Sequence, residues 1–257
     1  MKEKSGNITN KLPAIFAICA LLLLWESACV TGAVPAYMLP SPVNVIKAVL
    51  TYFTNLMHHA AISLQEAAWG LLIGIVLAFF MAGIMDRFDL LNRAFSPLMI
   101  ITQTIPTIAI APLLVLWMGF GMAPKITLVV ITTFFPITVG LLDGYKSVDQ
   151  DYMNLMRSMN ATRGQIFYHV KFPAALPHFF SGLRISASYA VVGAVISEWL
   201  GGFEGLGVYM TRVRKAYAFD KMFAVIFLIV IISLLLMWFV NLLRDLTMPW
   251  LKASVTK

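Results

Sequence analysis

Six stretches of about twenty mostly apolar residues constrain this chain more than any other feature. They lie near Pro13–Thr31, Ser63–Met85, Pro97–Met118, Pro124–Leu142, His178–Leu200 and Met222–Arg244. Each is about the length needed for a helix to cross the bilayer hydrocarbon. A water-soluble fold of 257 residues with 60% hydrophobic and only 12% charged side chains could not hide so much apolar surface. The composition therefore predicts an all-α membrane protein of about six transmembrane helices. Pro106, Pro112 and Pro136 interrupt the third and fourth candidates.

With the amino terminus inside, twelve of the nineteen Lys and Arg fall in inner segments and six in outer ones, and Arg184 lies within the fifth span. This bias predicts both termini in the cytoplasm, although the basic cluster Arg212–Lys221 runs against it. The net charge of +7 then belongs to lipid-facing loops and not to nucleic-acid binding. Lys2, Lys4 and Lys11 ahead of an apolar run imitate a signal peptide. No small-residue cleavage site follows, so the run reads as an uncleaved first span. Cys19 and Cys29 lie ten residues apart on that helix, too far for a disulfide. No Cys/His cluster has metal-ligand spacing, and His58-His59 reads as an external loop pair.

The segments divide into 1–60 (first span and an external amphipathic stretch), 61–245 (the transmembrane domain) and 246–257 (a cytoplasmic tail). In the external stretch, Ser41 or Asn44 is expected to cap a short helix carrying Val45, Val49, Leu50 and Phe53 on one stripe. Gly70, Gly74 and Gly83 in the second span allow close helix packing, while Glu66 receives no role. Gln103 and Thr104 precede Pro106 in the third span. This marks either a helix lining a cavity or an ordinary kink against protein.

The inner segment from Asp143 to Pro177 is the most structured of the polar ones. Ser147 and Gln150 have capping-box spacing, as do Thr162 and Gln165. A first helix is expected after Ser147, with Tyr152, Leu155, Met156 and Met159 on one stripe. A second is expected after Thr162, with Ile166, Phe167 and Val170 on one side. Asn160 between them suits the positive φ of a helix-closing residue, and Pro173 and Pro177 are expected to end the second helix. The product is a capped helix–turn–helix, apolar on one side and basic on the other.

This segment resembles the cytoplasmic signature E-A-A-x3-G-x9-I-x-L-P of binding-protein-dependent ABC importer permeases. Val170-Lys171-Phe172-Pro173 occupies the I-x-L-P positions, Asn160 the glycine, and Asn154-Leu155-Met156 the E-A-A. The glutamate is absent and the glycine replaced. "MLPSPVNV" and "FPAALPHFFSGLRISASYAVVGAVISEWLGGFEGLG" look like the nitrate, sulfonate and taurine branch. "QTIPTIAIAPLLVLWMGFGMAPK", with "MPW" near the end, is most similar to permeases for the pyrimidine precursor of thiamine.

The resemblance implies the type-1 importer permease fold with a cytoplasmic coupling helix, in a bacterial inner membrane. It also implies two cytoplasmic ATPase subunits, an extracytoplasmic substrate-binding protein and a second permease copy. The ATPase-coupling residues would then be Leu155, Met156, Met159, Asn160, Ala161, Arg163, Phe167, Val170 and Pro173. ATP belongs to the partner, since no G-x-x-x-x-G-K-[ST] loop occurs in this chain. No cofactor and no catalytic residue is expected.

Gln103, Thr104, Glu198 and Trp199 are candidates for the translocation path. Glu198 fits a structural carboxylate near the outer interface equally well. Trp199 offers a face for a heteroaromatic ring and also suits an interfacial belt. Sulfonate, taurine, nitrate and riboflavin are alternative solutes. An ion-coupled secondary transporter is the rival class, but it would carry ionisable groups near mid-membrane. A membrane enzyme would need a convergent catalytic set, and none is visible.

Overall fold

The computed structural model describes residues 12–35 and 38–250. Lys2, Lys4 and Lys11, and residues 251–257 with Lys252 and Lys257, lie outside these described residues. The described secondary structure is entirely helical: α1 (Leu12–Val30), α2 (Pro42–Thr51), α3 (Phe53–Arg87), α4 (Asp89–Thr104), α5 (Thr107–Met118), α6 (Met122–Lys146), α7 (Gln150–Ser158), α8 (Arg163–Ile166), a π turn (Phe167–Lys171), α9 (Phe172–Gly201), α10 (Leu206–Lys215) and α11 (Phe219–Thr247).

Among the described residues, four continuous helical runs are long and apolar enough to cross a membrane: Phe53–Arg87, Met122–Lys146, Arg163–Leu200 and Phe219–Thr247. The bent pair α4 and α5 makes a fifth if counted as one span. The expected first span is helical, but Ile15–Val30 falls among the shorter apolar helices. The count is thus four or five where the apolar stretches predict six.

The third stretch is divided. Its two helices meet at 99° around Ile105 and Pro106, where both residues are extended, with ψ of 123° and 124°. Proline lacks an N–H and pushes the residue before it out of the helical region, which accounts for the break. Pro136, by contrast, does not divide α6. In the turn it disturbs, the carbonyl of Thr133 accepts a 2.8 Å bond from Ser186 Oγ of α9. The carbonyl that Pro136 leaves without its donor is that of Thr132, so this bond ties α9 to the neighbouring carbonyl.

Two compact units are present. One comprises the described residues up to His58 together with Tyr209–Leu228; the other comprises His59–Val208 and the described residues from Ile229. In the first unit, Trp25 of α1 stacks on Phe227, with ring centres 6.0 Å apart. Ser41 caps α2 as expected, accepting from the Asn44 N–H at 3.3 Å. The buried side of α2 is Val45 and Ala48, whereas Leu50 and Phe53 remain exposed.

The second unit is centred on α6 and α9. A Cβ at Gly140 would lie 2.7 Å from the His178 carbonyl, one at Gly144 would lie 2.5 Å from Ala175 Cα, and one at Gly182 would strike the Pro136 carbonyl. Backbones that touch in this way need glycine. Gly70 and Gly74 of α3 instead make room for side chains of α6, those of Val129 and Thr133. Gly83 does not, because a Cβ there meets nothing within 4 Å.

Candidate transport and coupling elements

The segment from Asp143 to Pro177 folds largely as its caps dictate. Gln165 Oε1 accepts from the Thr162 N–H at 2.8 Å, and Thr162 Oγ1 accepts from the Gln165 N–H at 3.4 Å. This closes the expected capping box. Asn160 has a φ of 54°. The start of α7 differs from expectation: Asp149 is the N-cap, accepting from the Asp151 N–H at 2.9 Å. Ser147 stays helical and donates to the Gly144 carbonyl at 2.8 Å, so it closes α6 instead.

Pro173 and Pro177 do not end the second helix either. Arg163–Leu200 runs on as a single span of 38 residues. The π turn widens the ladder just before Pro173, with the Phe172 N–H bonding to the Phe167 carbonyl. The wider turn gives the proline ring room that the carbonyl of His169 would otherwise occupy.

The two apolar sets of this segment face different surroundings. Tyr152, Leu155 and Met159 are exposed, and Met156 is half-buried. Ile166 is buried, and Phe167 packs its ring 5.3 Å from that of Tyr145. Ala161, Val170 and Pro173 are half-buried, and Arg163 is exposed. Lys171, at the base of α9, is gripped by both oxygens of Asp86 on α3, at 2.7 and 2.8 Å. No spacing rule connects residues 85 positions apart, and the pair was not foreseen.

At the other end of α9 lies a buried polar network. The first N–H groups of a helix lack partners within it, and here three consecutive donors leading into α10 are all taken. The Gly205 N–H donates to His59 Nδ1 at 3.1 Å, the Leu206 N–H to Ser63 Oγ at 2.8 Å, and the Gly207 N–H to Glu198 Oε2 at 2.6 Å. Ser63 Oγ in turn donates to Glu198 Oε1 at 2.5 Å. A carboxylate at a helix N-terminus also interacts favourably with the helix dipole.

Beside this network, Lys125 Nζ pairs with Glu66 Oε1 at 2.6 Å. Glu198 is therefore engaged with Ser63 and Gly207 and is 1% exposed. His59 lies inside α3, buried, and not in a loop. Sequence reasoning gave no role to His59, Ser63, Glu66 or Lys125. A signal existed: His59, Ser63 and Glu66 recur at steps of four and three, a polar line along one face of an apolar helix.

The remaining candidates are more open. Gln103 and Thr104 are exposed beside the 99° elbow, where Thr104 Oγ1 donates to the Ile101 carbonyl at 2.7 Å. Trp199 is partly exposed near the C-terminal end of α9. Arg184 stands thirteen residues from Lys171 and fourteen from Glu198, halfway between two charged layers. It is exposed and has no ion pair among the described residues; Ser181 and Ser188 lie one turn to either side. No group of three or more His, Cys, Asp or Glu among the described residues could hold a metal ion.

Residues 70–249 match the family described as the binding-protein-dependent transport system inner membrane component. The chain belongs to that family. It is thus an ABC-importer permease subunit, a multi-pass inner-membrane transport component and not an enzyme. Permeases of this kind function with ATPase subunits and substrate-binding proteins.

The permease is 37% identical over 225 residues to a probable ABC transporter permease protein of Haemophilus influenzae, covering 88% of this chain and 92% of that one. It is also 37% identical over 242 residues to the formylaminopyrimidine transport permease protein ThiX of Halalkalibacterium halodurans, covering 93% and 96%. Its fold resembles that in the crystal structure of an amino acid ABC transporter with histidines, with a TM-score of 0.61 at 15% identity, over 77% of this chain and 95% of that one.

Proposed function

We propose that the permease acts as a symmetric pair driven by two cytoplasmic ATPase subunits, and that it imports a small heterocyclic solute of the thiamine-precursor type. The coupling element is the segment from Leu155 to Pro173. The observation that carries this reading is the exposed row Tyr152, Leu155 and Met159 on a helix capped at both ends. Large apolar side chains held outward on a short capped helix need a groove in a partner. Leu12–Val30 and the bent pair join the four long helices to make six spans, with both termini in the cytoplasm.

In this reading the path runs along α9. A guanidinium at mid-membrane depth is costly against lipid and belongs against water or protein. Arg184, Ser181 and Ser188 therefore face the path, joined by Gln103 and Thr104 at the elbow and by Trp199 near its outer mouth. Glu198 shapes that mouth by fixing the turn into α10. The likeness to the formylaminopyrimidine permease over nearly its whole length supports the solute class. Sulfonate, taurine, nitrate and riboflavin are the competing solutes.

The test is uptake into proteoliposomes carrying the permease and its ATPase, with the binding protein outside. ATP-dependent uptake of a labelled formylaminopyrimidine, not matched by taurine, nitrate or riboflavin, is expected. Preference for one of those solutes overturns the solute class alone. Uptake that continues without ATP and collapses with an ion gradient overturns the importer reading. Leu155→Asp or Met159→Asp should abolish ATP-driven uptake at an unchanged membrane level, and normal uptake by either removes the coupling assignment.

A further inference from the structure

A cleft of about 730 Å³ opens between the last turn of α3 and the inner helix–turn–helix. Four cations border it: Arg87, Arg157, Arg163 and Lys171. Asp86 is the one carboxylate in the lining, and it is already bound to Lys171. The three guanidiniums have no ion pair among the described residues. So much uncompensated charge around one recess calls for an anion.

Two observations select the kind of anion. The first is the surface of α3 leading into the cleft. Arg87, Gly83, Phe80 and Val76 follow at steps of four, three and four, and so share one helix face. Phe80 is 67% exposed and Val76 61%, on a helix long and apolar enough to span the bilayer. The open space at Gly83 leaves a notch between that apolar track and Arg87. A phosphate at the guanidiniums would therefore sit at the head of a groove suited to acyl chains. A soluble anion would have no use for the track.

The second is the division of α7. Met153 and Arg157 line the cleft, whereas the exposed apolar residues Tyr152, Leu155 and Met159 occupy another side of the helix. The exposed apolar row and the recess thus occupy different sides of α7, while Ala161, Arg163 and Phe167 of the coupling segment also border the recess. We infer that this cleft binds the phosphate headgroup of an anionic phospholipid, with Arg87, Arg157 and Arg163 on the phosphate and the chains along Phe80 and Val76. Basic pockets at the inner ends of membrane helices favour such headgroups, and guanidinium forks match phosphate oxygens. The inference holds whichever solute is carried.

The test is native mass spectrometry of the full-length permease released from bilayers of mixed phosphatidylglycerol and phosphatidylcholine. Retained phosphatidylglycerol should exceed phosphatidylcholine by about tenfold or more, since three basic side chains would meet one anionic headgroup. The triple variant Arg87→Gln, Arg157→Gln, Arg163→Gln should lose the preference. Should that variant fold poorly, Gly83→Phe fills the notch without touching charge and should also lower retention. Equal retention of both lipids, or a preference unchanged in Gly83→Phe, overturns the inference. So does displacement of the lipid by millimolar inorganic phosphate, or by the ATPase subunits.

Discussion

Lys125 and Glu66 form a buried ion pair, 2.6 Å from Nζ to Oε1, with 6% and 0% of their side chains exposed. Removing one member of such a pair strands the other charge and costs about 3–5 kcal/mol, whereas replacing both by apolar groups is often neutral. Lys125→Met should therefore lower the thermal unfolding midpoint in detergent sharply. Adding Glu66→Met to it should restore most of the loss. A single variant as stable as the parent would show that the pair contributes nothing.

Glu198 holds the turn into α10 through Ser63 and the Gly207 N–H. Glu198→Leu leaves those donors unsatisfied, at about 1–3 kcal/mol for each buried group. The turn at residues 201–207 should then become the earliest site cut in limited proteolysis of the detergent-solubilised permease. An unchanged cleavage pattern would mean that the network does not fix the turn.

Asn160 separates the two capped helices with a φ of 54°. Asn160→Gly should be tolerated, since glycine adopts that conformation freely. Asn160→Val should cost about 1–2 kcal/mol locally and reduce solute-stimulated ATP hydrolysis by the assembled transporter. Equal hydrolysis by the two variants would separate the backbone turn from coupling.

Arg184 lies halfway between Lys171 and Glu198 on α9 and is exposed. If it borders a water-filled path, Arg184→Cys should react with a water-soluble maleimide in the assembled transporter. The rate should change when non-hydrolysable ATP analogue is added. Inaccessibility in both states would place the residue against protein.

Legibility in the sequence followed the range of the forces involved. Local chemistry could be read directly: the Thr162–Gln165 box, the positive φ of Asn160, the Ser41 cap and the break at Pro106 all depend on neighbours a few residues apart. Where two local signals competed, the reading slipped. Ser147 has capping spacing, yet Asp149, an equally good cap, takes that role. Pro136 and Pro173 looked like breaks because proline is a local rule, yet α6 runs on through Pro136 and a π turn makes room ahead of Pro173. The Lys125–Glu66 and Lys171–Asp86 pairs depend wholly on how the helices pack, so composition gave only their presence. The polar line His59, Ser63, Glu66 was visible but meant nothing until the turn at Gly205–Gly207 lay beside it.

The unbroken run from Arg163 to Leu200 has a mechanical corollary. At 1.5 Å per residue its 38 residues make a rod about 57 Å long. Rocking that rod by about five degrees about its Arg163 end sweeps the far tip sideways by about 5 Å, roughly the thickness of a small organic molecule. Gearing of that order needs no hinge within the helix, only a push at the foot.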